Sequence, residues 1–560
     1  MAPGNALLNI RKLKNLADWK LLLFLVLFLN VKMAVKIPAI LLIYLLQFDF
    51  KFKFSFKNSR LPLFYLLAIA IAIFNWIISR NYFNLNYDIV LLTGIGFWLL
   101  CILAMHQVKL FVEKNDTETI HRTIVAFFII NAVLSFCNIA AIIWETGAIN
   151  PYTYQGQFQK YFIGTGDYIK GITFDTSTTN AVLNALGIIY FLTKKNAAML
   201  LLCMAVMLLT ASNFTNILVL ICFAILFLFK STRDQKSLIA VCTMFLVIFM
   251  VKVSPQNFTY VHEVVKNIIH PPVKKVLSQP NVASSAVVKS PPAKLAADSQ
   301  AIRIIAQNYV DSLYAVTHPR MAQAAKIKKI EKPVASVIPS TPEGRVIIPR
   351  PDINSRPYQH ITDTNDYQKK LLSFIDTHKE NLPISSQADY RPKLPGKAIS
   401  LLQTLHFLVQ HPLKFIWGDG IGNFSSKLAF RTSGLGFAGG YPQKYIYLDP
   451  DFLSNHLDLY LNFFSKKTDY HSLTNSPDSV YDQLLAEYGI LGFAAFVIWY
   501  IGYFLKHHKV LTYGMPVLFI IIALFSIEYW FEQLSIIVFF ELLLLLNIKE
   551  NSPNPVLVNA

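Results

Sequence analysis

The amino-acid sequence predicts an all-α integral membrane protein with about twelve transmembrane helices and a large exported loop between helices 9 and 10. Three observations carry that expectation. Of 560 residues, 54% are hydrophobic and only 15% charged, with a mean hydropathy of +0.43, far too apolar for a soluble chain of this length. Apolar runs able to cross roughly 30 Å of hydrocarbon, or nearly so with snorkelling ends, recur along the chain. Lysine and arginine fall on alternate short loops, the pattern expected where positive loops are retained in the cytoplasm.

The apolar runs lie at about 17–31, 34–48, 61–79, 88–106, 121–144, 178–193, 196–212, 214–230 and 236–252, then at about 489–505, 511–527 and 532–548. Arg11, Lys12 and Lys14 precede the first; Lys51, Lys53, Lys57 and Arg60 follow the second; Lys109, Lys114 and Arg122 follow the fourth. Lys194 and Lys195, then Lys230, Arg233 and Lys236, then Lys506 and Lys509 continue the alternation, against which Lys32, Lys36 and Arg80 dissent. The majority places both termini in the cytoplasm and the 145–177 and 253–478 regions outside it. No small-residue cleavage site follows helix 1 before helix 2, so helix 1 is expected to stay.

Four regions follow: an N-terminal transmembrane bundle (1–252), an exported Pro-rich insertion (253–395), an exported segment with an interfacial helix and a Gly-rich turn (396–478), and C-terminal transmembrane helices (479–560). Residues 254–395 hold 16 of the 27 prolines and 19 Lys plus Arg against 11 Asp plus Glu, a composition that buries no core and reads as a mostly disordered spacer. The net charge of +18 is spent on this stretch and on the basic loops, so no nucleic-acid partner is expected. All five cysteines lie in expected spans, which excludes a disulfide framework and a cysteine metal motif.

The polar middle ends in Ser476-Pro477-Asp478-Ser479-Val480-Tyr481-Asp482-Gln483-Leu484-Leu485-Ala486-Glu487-Tyr488-Gly489. Ser476 is placed as an N-cap, Pro477 as the first helical residue and Asp478 at the positive end of the helix dipole, so a helix starts outside the bilayer and enters it. Upstream, residues 396–412 predict an amphipathic interfacial helix with Ile399, Leu402, Leu405 and Leu408 on one face, Ser400, Gln403, His406 and Gln410 on the water side, and a stop at Pro412. Gly418-Asp419-Gly420-Ile421-Gly422-Asn423-Phe424 is a glycine-spaced turn whose exposed N–H groups suit either tight-turn geometry or a phosphate. Within the last span, Glu541 is expected to snorkel, with Lys549 close to the end.

Gly396-Lys397, His411-Pro412-Leu413, the glycine turn and Gln483-Leu484-Leu485-Ala486-Glu487-Tyr488-Gly489-Ile490-Leu491-Gly492, in that order, resemble the exported loop and following helix of the bacterial O-antigen ligase and O-antigen polymerase superfamily. Lys170-Gly171-Ile172-Thr173-Phe174-Asp175 with Asn180 is similar to that family's glycine-phenylalanine-asparagine motif. The resemblance implies a membrane glycosyltransferase at the outer face of the bacterial cytoplasmic (inner) membrane, in surface polysaccharide or lipopolysaccharide biosynthesis. Its donor would be a glycan on undecaprenyl pyrophosphate, and its acceptor another glycan, lipid A core or a protein. The family uses arginines for the pyrophosphate and an exported histidine to activate the acceptor, with no metal and no cofactor.

This chain departs from the family at those positions. Lys170 and Lys397 stand where the family has arginine, Ser212-Asn213 stands in its serine-arginine slot, and Asp478 occupies the histidine slot, with His471 the nearest histidine upstream. The expected site is therefore Asp478 or His471 as base, with Lys170, Lys397, Arg431 and Asn213 toward the donor. Lysine pairs with phosphate as a point charge and lacks the bidentate fork. Asp175 is placed to neutralise Lys170 instead. The rival expectations are a non-catalytic member that binds lipid-linked glycan or a partner synthase, and a helix cap as the sole role of Asp478; a transporter is disfavoured because charges crowd at one external mouth.

Overall fold

The computed structural model describes residues 17–29, 33–47, 61–79, 81–153, 169–229, 231–254, 395–433, 445–457, 459–460, 473 and 475–552. Among them the secondary structure is entirely helical. The expected spacer at 254–395 lies, apart from its end residues, outside the described residues, as does His471.

Helices form at each apolar run: α1 Trp19–Leu27, α2 Met33–Gln47, α3 Phe64–Ile78, α4 Leu85–Lys114, α5 Thr117–Thr146, α6 Ser177–Thr193, α7 Ala197–Leu209, α8 Asn213–Phe229 and α9 Arg233–Ile248. The stretch after the insertion supplies α10 Gly396–Gln410, α11 Pro412–Trp417, α12 Lys427–Thr432 and α13 Pro450–Asn455. The chain closes with α14 Val480–Ala495, α15 Gly514–Leu524, α16 Trp530–Gln533 and α17 Ser535–Asn551. Four continuous stretches among the described residues, Leu85–Lys114, Thr117–Thr146, Arg233–Val253 and Val480–Leu505, are long and apolar enough to cross a membrane. Helix starts carry their own side-chain acceptors: Asn84 for α4, Asp116 for α5, Thr176 for α6, and Thr232 with Gln235 as a capping box for α9.

Helix α17 is the axis of the core. Its residues 535–548 are all buried, so it reads apolar all round because it touches protein all round. Glu541 sits in it with no exposure and accepts hydrogen bonds from Tyr65 (2.6 Å) and Tyr500 (3.0 Å). It does not snorkel; two phenols from facing helices bond one of its oxygens, and the other has no hydrogen-bond partner among the described residues. Lys549 is instead spent on the carbonyls of Val112 and Asn115 at the end of α4. The five cysteines are free.

The membrane helix α14 starts later than the sequence suggests. Ser479, not Ser476, is its N-cap, accepting from the Asp482 backbone, and Asp482, not Asp478, is the acid of the first turn. Ser476, Pro477 and Asp478 form an extended approach that Val480 pins by donating to the Phe525 carbonyl at 2.8 Å. Farther on, α14 breaks at Gly489 (φ 65°, ψ −169°). The break frees the carbonyls of Ala486 and Glu487, which accept from the backbone of Asp419 (2.8 Å) and Gly420 (3.1 Å). Gly418 and Gly489 thus lie back to back: a Cβ on Gly489 would meet the Gly418 nitrogen at 2.5 Å. The glycine turn is built into the kink of a helix long and apolar enough to cross a membrane.

Candidate functional site at the mouth of the bundle

Helix α10 packs on the start of α14 with its faces partly reversed from expectation: Ile399 and Leu408 are buried and His406 and Gln410 exposed as expected, but four other positions exchange sides. Ser400, Gln403, Thr404, Phe407 and Leu408 are buried, whereas Leu401, Leu402, Leu405 and Val409 are exposed. Beside a bilayer the apolar stripe of a helix can face lipid and the polar stripe can face protein groups. His406 is solvent-exposed as expected and lies 2.9 Å from Gln410. Pro412 ends α10 and opens α11 at its first turn.

The inward polar stripe places Lys397 at the site. Its ammonium donates to the backbone oxygen of Asp478 (2.5 Å) and to Ser476 Oγ (3.2 Å), and Gly396 N–H donates to Asn475 Oδ1 (3.0 Å). Burial pulls the Lys397 amine down to about 8, against the opposing pull of Asp478, Glu528 and Asp482. The Asp478 carboxyl is driven the other way, up to about 7, by burial and by Glu528, while Lys427, Lys397 and the Ser476 hydroxyl hold it back. Carboxyl and amine therefore both change protonation near neutrality, a property concentrated at functional sites.

Helix α12 brings two further cations. Lys427 lies 3.7 Å from Glu528; burial works against its charge, yet Glu528, Asp175 and Asp478 hold the amine above its ordinary range despite Arg431. Arg431, one turn on, keeps its Nε buried without a hydrogen-bond partner among the described residues. A tyrosine pair staples this segment to the approach strand: Tyr529 donates to the Ser425 carbonyl and reaches the Pro477 carbonyl at 3.4 Å, with Tyr460 2.8 Å from its hydroxyl.

Two of the residues singled out from sequence, Lys397 and Asp478, thus belong to one group with Lys427, and Arg431 adjoins it through Lys427. Lys170 and Asn213 take no part in the contacts that tie it together. Lys170 precedes the 3-10 turn Gly171–Thr173, its carbonyl accepting from Thr173. That turn is fixed by asparagines: Asn138 and Asn131 accept from the backbone of Gly171 and Ile172, and Asn180 donates to the Ile169 carbonyl. Asn180 is accordingly a strut. Asp175 accepts from Thr179 (2.9 Å) and acts on Lys427 and Lys36. Lys36, a dissenter from the charge alternation, feels Asp175 and Arg431 and so lies on the same side as the site. Asn213 opens α8 beside Ser212 and Thr215.

The glycine turn does not offer its amides to a ligand. The buried carboxylate of Glu487 accepts from the backbone N–H of Gly422 (2.9 Å), Phe424 (3.3 Å), Ser425 (3.2 Å) and Ser426 (3.0 Å). A nest of amides that suits an anion is filled by an internal one. Beneath it, oxygens of Asp419, Asp449 and Asp451 lie within 4.8 Å of one another, and the Lys414 ammonium bridges Asp419 and Asp451 at 2.5 Å each. Burial and the Asp451 carboxylate push the Asp449 acid up to about 6, against the Asp451 backbone N–H, the Tyr447 hydroxyl and Lys414. The ammonium supplies the positive charge that three acids require.

Sequence reasoning passed over Lys427, Glu528, His456 and Asp482. For Lys427 a signal existed: four residues before Arg431, it shares that residue's helix face. Comparison with known protein families, curated proteins and solved structures finds no match.

Proposed function

We propose that the chain is a membrane glycosyltransferase that takes a glycan from undecaprenyl pyrophosphate and passes it to a glycan, lipid A core or protein acceptor at the outer face of the bacterial inner membrane. In this proposal the twelve helical segments all cross the bilayer, both termini lie in the cytoplasm, and residues 145–177 and 253–478 lie outside. The observation that carries the proposal is the half-buried Asp478 carboxyl, which titrates near 7 with Lys397 and Lys427 beside it and Arg431 beside Lys427. Cations suit the donor pyrophosphate, and a base near the operating pH suits an acceptor hydroxyl.

The chemistry balances without further reactants. The acceptor hydroxyl oxygen attacks the anomeric carbon of the donor sugar, its proton passes to the Asp478 carboxylate, and the bond from that carbon to the pyrophosphate oxygen breaks. The electron pair leaves with undecaprenyl pyrophosphate, whose growing charge the ammonium and guanidinium groups offset. Lys397, already pinned to the Asp478 backbone, sets the distance between donor and base.

A scaffold that binds lipid-linked glycan without turnover is the second reading, and the Lys427–Glu528 pair favours it, because that acid uses up part of the positive charge. Purified protein in nanodiscs, given a polyprenyl-pyrophosphate glycan and a panel of acceptors with EDTA present, separates the two. Release of polyprenyl pyrophosphate coupled to glycan on an acceptor supports transfer; saturable donor binding with no release supports the scaffold.

A further inference from the structure

His456 follows α13 and has no exposure, and it meets α14 at Asp482, itself 2% exposed. Its Nε2 faces Asp482 Oδ2 at 3.4 Å, and its Nδ1 lies 3.1 Å from the Gln403 side-chain oxygen Oε1 on α10. Phe424 of the glycine turn packs edge-on against the ring at 4.8 Å. Asp482 also accepts from the hydroxyls of Ser400 and Thr404. One carboxylate therefore gathers two hydroxyls of α10 and an imidazole from α13, on the same helix face that carries Lys397 one turn earlier.

Burial drives the His456 imidazole far down, to about 3, so the ring is neutral at ordinary pH. A neutral ring carries one proton, and the two flanking groups decide where. Asp482 accepts only, so Nε2 holds the hydrogen and points it at the carboxylate. Nδ1 is then an acceptor, which the Gln403 amide satisfies through its NH2 after a half-turn of that amide. Gln403, His456 and Asp482 then form a chain ending on a carboxylate that also accepts from Ser400 and Thr404. The charged groups facing Lys397 among the described residues are Asp478, Glu528 and Asp482. Asp478 and Glu528 belong to the reacting group; Asp482 is the one held rigid from behind.

We propose that the His456–Asp482 pair positions Lys397: it locks α10 onto the start of α14 and adds a fixed negative charge to those of Asp478 and Glu528 near the Lys397 ammonium. The proposal rests on the glycosyl-transfer reading only for its effect on turnover, because the charge on Lys397 is measurable in the idle protein. Neither His456 nor Asp482 touches substrate in this scheme; both are positioning residues.

The test uses the full-length chain in nanodiscs and a water-soluble acetylating ester, following acetylation of Lys397 against pH by mass spectrometry. In the native chain the midpoint falls near 8. Asp482→Asn removes one favourable charge and moves the midpoint down by about one pH unit, the usual scale for a neighbouring charge. The basic limb of transfer activity moves with it. His456→Ala lowers turnover roughly tenfold with little change in donor KM, and His456→Gln, whose Nε2–H lies where the ring donor was, restores most of it. An unmoved Lys397 midpoint in folded Asp482→Asn, or His456→Gln no better than alanine, overturns the proposal. If Asp482→Asn does not fold, His456→Gln against His456→Ala decides through the same labelling: a midpoint restored by Gln supports the strut, and one insensitive to both overturns it. A chain without any transfer activity sinks the glycosyltransferase reading while the labelling result still stands.

Discussion

The Lys397 ammonium donates at 2.5 Å to the backbone oxygen of Asp478, not to its carboxylate. A cation expected to serve the donor and an acid expected to serve the acceptor are thereby fixed to each other through the main chain. The carboxylate stays available, and the two groups shift in opposite directions, the acid to about 7 and the amine to about 8.

From that pair of shifts follows a narrow pH window. Transfer needs Asp478 ionised and Lys397 protonated, so kcat/KM rises as pH climbs through about 7 and falls as it passes about 8. A profile of kcat/KM from pH 5 to 10 checks this. A flat profile across neutrality contradicts the protonation states assigned to both groups.

Donor binding should rank the cations unequally. Lys397→Ala, Lys427→Ala and Arg431→Ala each remove a charge from the shared group and raise the donor KM at least tenfold, given that losing one partner of a buried charge pair costs about 2–5 kcal/mol. Lys170→Ala, outside that group, changes it less than threefold. Initial rates against donor concentration for the four variants decide. A Lys170 effect as large as that of Lys397 would return the 170–175 turn to the site.

The helical skeleton was legible in the sequence, because a run of apolar residues bounded by caps is a local signal, and helices form at each expected run. The inside of α10 was not. Periodicity shows that Ser400 and Gln403 share a face with each other and Leu402 with Leu405; it does not say which face meets protein when lipid is the other neighbour. The glycine turn failed for a different reason. Its spare amides were visible, but their occupant, Glu487, lies 65 residues beyond Gly422 in the chain, and such pairing has no local trace. The start of α14 was missed by three residues, since Ser476 and Ser479 both suit an N-cap and only the Val480–Phe525 contact chooses between them.

Glu487→Gln tests the filled nest. A carboxamide keeps one oxygen for the four amides but puts an NH2 where the other oxygen accepted, and hydrogen bonds to a charged group are worth about 1.5–3 kcal/mol each. The variant should lose about 3 kcal/mol or more of stability, read as an earlier unfolding transition in detergent. An unchanged transition would mean that the amides have another partner.

Gly489→Ala should be far more damaging than Gly502→Ala. At Gly489 the left-handed backbone and contacts of 2.5 Å to Gly418 and Ile416 leave no space for a methyl group, whereas at Gly502 the nearest atom is the Val497 carbonyl at 3.5 Å. The yield of monodisperse protein after extraction is the readout. Equal yields contradict the back-to-back crossing at the kink.

The account turns on Asp478 as the base, and the later start of α14 simplifies its test, because Asp478 is not a helix cap. Asp478→Asn keeps size and hydrogen-bonding capacity while removing the basic oxygen. Transfer from a polyprenyl-pyrophosphate glycan by this variant, measured in nanodiscs with donor binding assayed in parallel, should fall by roughly 100-fold or more with donor affinity retained; Asp478→His should recover part of it. Undiminished transfer by Asp478→Asn would contradict the central claim.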